Sequence, residues 1–492
     1  MKNKSNIAQA LWVGVGSFSA FGLSMISAAI LSRYFSKTEY GTYKQVLYVY
    51  NTLLIIFSAG LPRVFNYYLP RYSVAQGKEI VNKITTILFL TGFLFSVFLF
   101  LLSDLIAQIL KNPELAIGLK WFSPVPMLLL PTLGIERIFA SYRKTVYVAI
   151  YNTVTRALML AFIVVPVIVY SNNYLVAIYG WIAVSVIILF IAFYFKSIPF
   201  KGVKQEKSGL ALKEILKYSL PLVSATIAGT IYRSANQFYI SRYFGSEVFA
   251  EFSNGFIEIP FVQMVTGSAG AVLMPLFSKL LNDNSEIEVV TNLWRRTIQK
   301  SAILIYPCII FFMYYAEEIV TLIYSKTYAV SYVYFSIAMI LNFFNIIIFA
   351  PLLLSLGESK FYARLHYFLA ISVWITHYIV IMLFKSPVAI AISFVSIAIL
   401  GIVISLVYSA KKLKVSFLSM FPINRMLLIA LHSVLSLAIV QFVFQWFNLN
   451  MHPIILLFVV CVAYTVVLFS SARWFKINYM EIFKPLFNKA EK

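Results

Sequence analysis

Arginines and glutamates lying inside long apolar runs are the residues of this 492-residue sequence best placed to do chemistry. Arg63, Arg137, Arg156 and Arg233 each fall within such a run, as do Glu136 and Glu258. A guanidinium at the centre of a membrane helix costs roughly 2.5 to 3.5 kcal/mol on insertion scales, so each is expected to face a wet cavity or a partner. Its planar fork makes two charge-assisted bonds to a phosphate or carboxylate, which makes the four arginines candidate ligands of an anion. Arg63 and Arg137 lie near run ends, where a long side chain can also snorkel to the interface for structural reasons. Arg156 lies about ten residues into its run, about 15 Å deep at the helical rise, and Arg233 about eight residues from an end, where snorkelling is harder.

Thr226, Gly229, Thr230, Arg233, Asn236 and Gln237 follow one another at spacings of three and four, which places them on one face of a helix. Such a polar stripe faces water, or else packs helices together through small and hydroxyl residues. Thr230, Arg233, Asn236 and Gln237 therefore join the candidate binding residues. Counting from helix ends near Ser241 and Ala250 puts Arg233 and Glu258 at equal depth on adjacent helices, so Glu258 is expected to pair with Arg233 or to hold a coupling cation, H+ or Na+. Tyr67, Tyr68, Tyr147 and Tyr151 could stack on the apolar faces of sugars, or belong to an interfacial aromatic belt.

The elements that must hold these residues are membrane helices. The chain is 61% hydrophobic and 12% charged, whereas a soluble domain is roughly 45 to 50% apolar and about 25% charged. Its apolar runs are too long and too continuous for barrel strands, so an all-α integral membrane fold is expected. Spans are read near 10–31, 46–69, 85–103, 121–141, 146–169, 174–195, 218–240, 250–276, 298–322, 329–355, 361–384, 387–409, 424–446 and 453–470, fourteen in all.

A net charge of +22 would suggest nucleic acid in a soluble chain, but the location of the charge removes that reading. With both termini in the cytoplasm, 25 of the 40 Lys and Arg fall in cytoplasmic segments, 8 in external loops and 7 within spans, and three of those seven, Lys300, Arg364 and Arg425, lie within the first four residues of a span's cytoplasmic end, as the positive-inside rule requires. The lysine-rich segment 201–217 then links two halves on the cytoplasmic side, and Leu210 to Leu220 is expected to lie on anionic lipid as an interfacial helix. Cys308 and Cys461 imply no disulfide framework. His366, His377, His432 and His452 lack metal-ligand spacing, so no metal or cofactor is expected.

Ser32-Arg33-Tyr34-Phe35 recurs as Ser241-Arg242-Tyr243-Phe244, a shift of 209, with Tyr40 matching Phe249 and Tyr43 matching Phe252. With slight slippage, Ser58-Ala59-Gly60 matches Ser268-Ala269-Gly270. Two parallel six-helix repeats are expected, residues 1–200 and 218–410, with 411–492 as an added helix pair and cytoplasmic tail. In such folds the substrate site lies between halves that rock against each other.

At these residues the chain resembles the polysaccharide or O-antigen flippase family of the multidrug/oligosaccharidyl-lipid/polysaccharide exporter superfamily. Leu31-Ser32-Arg33-Tyr34-Phe35 with Glu39-Tyr40-Gly41-Thr42-Tyr43, Tyr218-Ser219-Leu220-Pro221-Leu222 and Leu273-Met274-Pro275-Leu276-Phe277-Ser278 carry the resemblance, which covers roughly residues 1 to 409. Ser36 stands where the family usually has glycine, and Asn236-Gln237 replaces a common acidic-basic pair.

The resemblance implies a flippase in the bacterial cytoplasmic membrane that carries an undecaprenyl-diphosphate-linked oligosaccharide to the outer leaflet. Its implied partners are that anionic lipid-linked oligosaccharide, membrane lipids and polysaccharide assembly machinery. A lipid II flippase and a multidrug exporter of the same superfamily are the alternatives, and the excess of basic over acidic residues within the spans, seven against five, weighs against the exporter. A membrane glycosyltransferase or polymerase would need a larger external loop than residues 104–120, so the chain reads as a transporter and not an enzyme. It has no glycine-rich nucleotide loop.

Overall fold

Most helix starts in this chain are written locally. In the computed structural model, which describes residues 6–283, 286–447 and 451–479, α1 (Asn6–Tyr34) is followed within three residues by α2 (Lys37–Phe57). Ser36 makes that restart: its hydroxyl accepts the N–H of Glu39 while the Glu39 carboxylate accepts the N–H of Ser36, a reciprocal cap that satisfies two otherwise open donors. After α3 (Leu61–Tyr68), Ser73 and Gln76 repeat the device to open α4 (Val74–Leu110). Pro124, Pro126 and Pro131 then divide the next run into α5 (Glu114–Phe122), α6 (Pro124–Leu129) and α7 (Ile135–Ser141), because proline cannot supply the helical N–H. α8 (Val146–Val169), α9 (Tyr174–Ser197) and α10 (Leu212–Gly255) follow.

These helices to Ser253, together with Ile323–Ser325, form one compact unit. Within it α1 packs along α8, α8 along α9, and α4 against α5 and α6. The second unit holds α11 (Pro260–Asn282), α12 (Ile287–Tyr314), most of α13 (Ala316–Tyr324), α14 (Ser331–Asn345), α15 (Phe349–Ser355), α16 (Ser359–Phe384), α17 (Pro387–Lys412), α18 (Phe417–Met420), α19 (Ile423–Trp446) and α20 (Pro453–Ser471). There α11 packs on α15, α12 on α14 and α19, α16 on α17, and α19 on α20. His432 joins the last pair, meeting Tyr479 Oη and Ser471 Oγ at 2.9 Å each.

The all-α integral membrane class expected from composition is the one observed. Among the described residues, twelve helical stretches are long and apolar enough to cross a membrane, or thirteen if α2 and the stretch Leu61–Arg71, bent by 46°, are one span. The expected fourteenth, 218–240, lies in α10 but is not among them, since its polar stripe lowers its hydropathy.

Two local expectations change in detail. The segment Leu210 to Leu220 enters α10 at Leu212, and its Leu210 (1% exposed) and Ile215 (0%) are enclosed by protein with Leu61, Ile80 and Phe200, while Leu212 (47%) and Leu220 (54%) remain exposed. The preceding linker lies extended along the start of α4, where Lys78 Nζ donates to Val203 O (2.9 Å), Asn82 Nδ2 to Gln205 Oε1 (2.9 Å) and Lys83 Nζ to Leu210 O (2.7 Å). Leu210 and Ile215 thus found a protein surface.

The second correction concerns 241–250, expected to be a loop between spans. The helix is interrupted there only at Gly245 (φ 81, ψ −177) and resumes at once to Gly255, and Glu258 sits in the segment between α10 and α11. Equal depth for Arg233 and Glu258, which rested on helix ends near Ser241 and Ala250, therefore does not hold. Ser36 and Gly245, 209 positions apart, both interrupt a helix. Ser58–Gly60 is also an interruption, with Ala59 and Gly60 at positive φ, whereas Ser268–Gly270 lies inside α11.

Candidate functional site

Arg156 lies on α8 and lines a cavity of about 330 Å3 within the first unit, walled by α1, α2, α8 and α9. Ser24 and Ser27 of α1 and Asn51 and Lys44 of α2 line the same space, so two cations share one polar chamber. Arg156 Nη1 meets Met159 Sδ at 3.5 Å, and neither Arg156 nor Lys44 forms an ion pair among the described residues. Glu136 is within electrostatic reach of Arg156, but it accepts from Asn152 Nδ2 at 2.6 Å. The chamber therefore offers positive charge and hydrogen-bond donors to an anionic occupant.

Lys44 is held in place from behind. The next residue of α2, Gln45, is fully buried and donates through Nε2 to Ser241 Oγ at 2.7 Å. Asn112 Nδ2 donates to Gln45 Oε1 (2.5 Å) and Thr42 Oγ1 (3.0 Å). With these amides paired, the helix cannot rotate without leaving buried polar groups unsatisfied, and Lys44 stays toward the chamber, 5.2 Å from the Tyr40 ring centre. Trp181, also on the wall, donates through Nε1 to Tyr43 Oη at 2.9 Å.

A second cluster surrounds α3 and the start of α10. Tyr67 stacks on Tyr218 with ring centres 4.2 Å apart and meets Tyr68 edge-on at 4.8 Å. Arg71 lies 3.6 Å above the Tyr67 ring. Arg63 is exposed, and Arg137, half-buried on α7, lies within electrostatic reach of both Arg63 and Tyr218. Glu136, the neighbour of Arg137 on α7, also acts on it electrostatically and offsets part of the repulsion between the two arginines. Tyr147 and Tyr151 instead join the aromatic packing of Phe139 and Phe195.

The expected stripe on α10 is not part of the Arg156 chamber, to whose walls α10 contributes no residue. Thr230 donates its hydroxyl to Thr226 O at 3.0 Å, Asn236 is enclosed at 2% exposure, Gln237 is half-buried and Arg233 is exposed. Glu258 is exposed and accepts the side-chain amide of Gln263. Of the sequence candidates, the structure sets Arg156 in a chamber and Arg63 near Arg137. It adds Lys44, which sequence reasoning placed in an external loop. The signals that reveal Lys44 are the Ser36–Glu39 cap, which starts the helix early, and its seven-residue spacing from Asn51. Among the described residues no three His, Cys, Asp or Glu side chains converge.

Comparison with known proteins places this architecture. A family model described as "Polysaccharide biosynthesis protein" matches residues 30–333. No curated protein matches. Among solved structures, the lipid II flippase MurJ in an inward closed conformation is 14% identical, with a TM-score of 0.68 over 97% of this chain and 100% of that one. An inward-facing multidrug resistance MATE family transporter of the MOP superfamily is 11% identical, with a TM-score of 0.59 over 80% and 94%. A MOP superfamily transporter from Pyrococcus furiosus, described as having a binding pocket of reversed polarity, is 12% identical, with a TM-score of 0.58 over 83% and 95%. At these identities the likeness establishes a shared fold.

Proposed function

The chain belongs to the polysaccharide biosynthesis protein family, and from that membership we propose that it is a flippase for an undecaprenyl-diphosphate-linked oligosaccharide. The observation that carries this reading is the presence of Arg156 and Lys44 in one chamber with neither in an ion pair among the described residues. Two buried-facing cations are costly in a membrane protein, and a diphosphate repays the cost because it offers several oxygens to a guanidinium fork and an ammonium. Rings such as Tyr67 and Tyr218, beside Arg63, Arg71 and Arg137, suit the sugar portion and its phosphate together.

In this reading the protein lies in the bacterial cytoplasmic membrane with both termini inside, as its basic residues favour. The repeated halves alternate access, carrying the head group outward while the lipid tail stays in the bilayer. A coupling cation, H+ or Na+, and polysaccharide assembly machinery are further partners of this reading. No catalytic step is assigned to the chain.

The test is reconstitution in vesicles loaded with lipid-linked oligosaccharide on one leaflet. Transfer measured by an impermeant glycosidase should depend on the protein and fall with Arg156→Gln. No protein-dependent transfer would reject the flippase reading. The second reading is a lipid II flippase, favoured by the likeness to MurJ over nearly the whole chain; faster transfer of lipid II than of the oligosaccharide lipid would select it. A multidrug exporter is disfavoured, since cationic drugs would meet Arg156 and Lys44.

A further inference from the structure

A second cavity in the first unit, of about 740 Å3, shares no lining residue with the Arg156 chamber. It lies where α4 begins and α9 ends, beside the turn Ile198–Gly202. Lys196, only 5% exposed, forms part of its wall. Its ammonium donates to Thr85 Oγ1 at 3.0 Å and to Pro131 O at 2.6 Å, and no carboxylate pairs with it among the described residues. An ammonium carries three N–H donors, two of which these oxygens take, and the Phe65 ring centre lies 5.8 Å from it. Lys78 and Lys201 line the same cavity, and Asn82 and Thr86 add polar groups.

Two aromatic residues of α9 line the cavity as well. Phe193 and Tyr194 are exposed on the flank of the span Tyr174–Phe200, where acyl chains run beside a membrane helix. Basic groups at a helix end next to an exposed aromatic flank match the two parts of one molecule, a phosphate and its attached chains. We propose that this cavity binds an anionic phospholipid, with its phosphate on Lys196, Lys78 and Lys201 and its chains against Phe193 and Tyr194. A bound lipid also neutralises Lys196, the buried ammonium that the protein leaves without a counter-charge. The site is independent of the transported substrate.

The full chain, purified in a neutral detergent, should be titrated with phosphatidylglycerol and with phosphatidylcholine of matched chains and read by native mass spectrometry. One phosphatidylglycerol should be retained with a preference of about thirtyfold, from roughly fivefold for each of Lys78 and Lys201. Lys78→Gln/Lys201→Gln should reduce the preference to within about threefold, Lys201→Gln alone should reduce it partway, and Lys78→Arg/Lys201→Arg should keep it. Equal retention of the two lipids would overturn the proposal, as would an unchanged preference in the Gln variants. Displacement of the lipid by millimolar inorganic phosphate would overturn it too, since the cavity would then be a site for free phosphate.

Discussion

Thr38 donates its hydroxyl to Glu247 Oε1 at 2.7 Å, and the two residues are 209 positions apart, the shift that superposes Ser32-Arg33-Tyr34-Phe35 on Ser241-Arg242-Tyr243-Phe244. Two residues at equivalent positions of the sequence repeat thus touch each other. Around this contact Lys37 pairs with Glu251 at 2.7 Å and Gln45 with Ser241, so α2 meets the last turns of α10 through polar groups.

The Lys37–Glu251 pair is partly shielded, with 29% and 13% of the two side chains exposed. It lies between an exposed pair, worth about 0 to 1 kcal/mol, and a buried one whose loss costs about 3 to 5. Glu251→Ala or Lys37→Ala should lower the thermal unfolding midpoint of the purified protein, each by the equivalent of roughly 1 to 3 kcal/mol. The exchange Lys37→Glu/Glu251→Lys should recover most of it. Additive losses in the double variant would show that the contact is incidental.

Gly41 is required by the same meeting of helices. A Cβ there would stand 1.9 Å from the carbonyl oxygen of Ser246, and backbone on both sides leaves nothing flexible to yield. Gly41→Ala should cost about 1 to 3 kcal/mol or more, seen as a lower melting temperature and poor membrane yield. Gly22→Ala is the control: nothing lies within 4 Å of the added carbon, so stability should change by only about 0.5 kcal/mol. Equal tolerance at both positions would contradict the packing.

Charge rather than bulk should matter in the chamber. A charged hydrogen bond contributes roughly 1.5 to 3 kcal/mol, so Arg156→Gln or Lys44→Gln should each cut transfer of the lipid-linked oligosaccharide about ten- to a hundredfold at normal membrane insertion. Arg156→Lys should retain part of the activity. Full transfer in Arg156→Gln would assign that arginine a structural role.

The membrane potential should drive an anionic head group. A negative-inside potential favours outward movement by about 2.3 kcal/mol per charge per 100 mV. Collapsing it in vesicles should slow transfer even with no ion gradient, and rates unchanged under potential clamp would exclude net outward movement of negative charge.

Composition and run length alone determined the membrane class, because only helices that satisfy their own backbone bonds can fill apolar runs of this length. The place of Arg156 within a helix was legible too, since the run 146–169 is the one observed as α8. Lys44 was not, although its helix start is written in Ser36 and Glu39: whether the residue beyond a cap faces a chamber depends on its neighbour Gln45 being held by Asn112 and Ser241, which come from two distant segments. Leu210 and Ile215 show the same limit, for an apolar face looks alike whether it meets lipid or the α3 and α4 surface that covers it. At Gly245 a single residue with positive φ turned an expected loop into a resumed helix and removed the matched depths of Arg233 and Glu258. Periodicity tells which residues share a face; which surface that face meets is set by contacts between segments far apart in the chain, and only the tertiary structure supplies them.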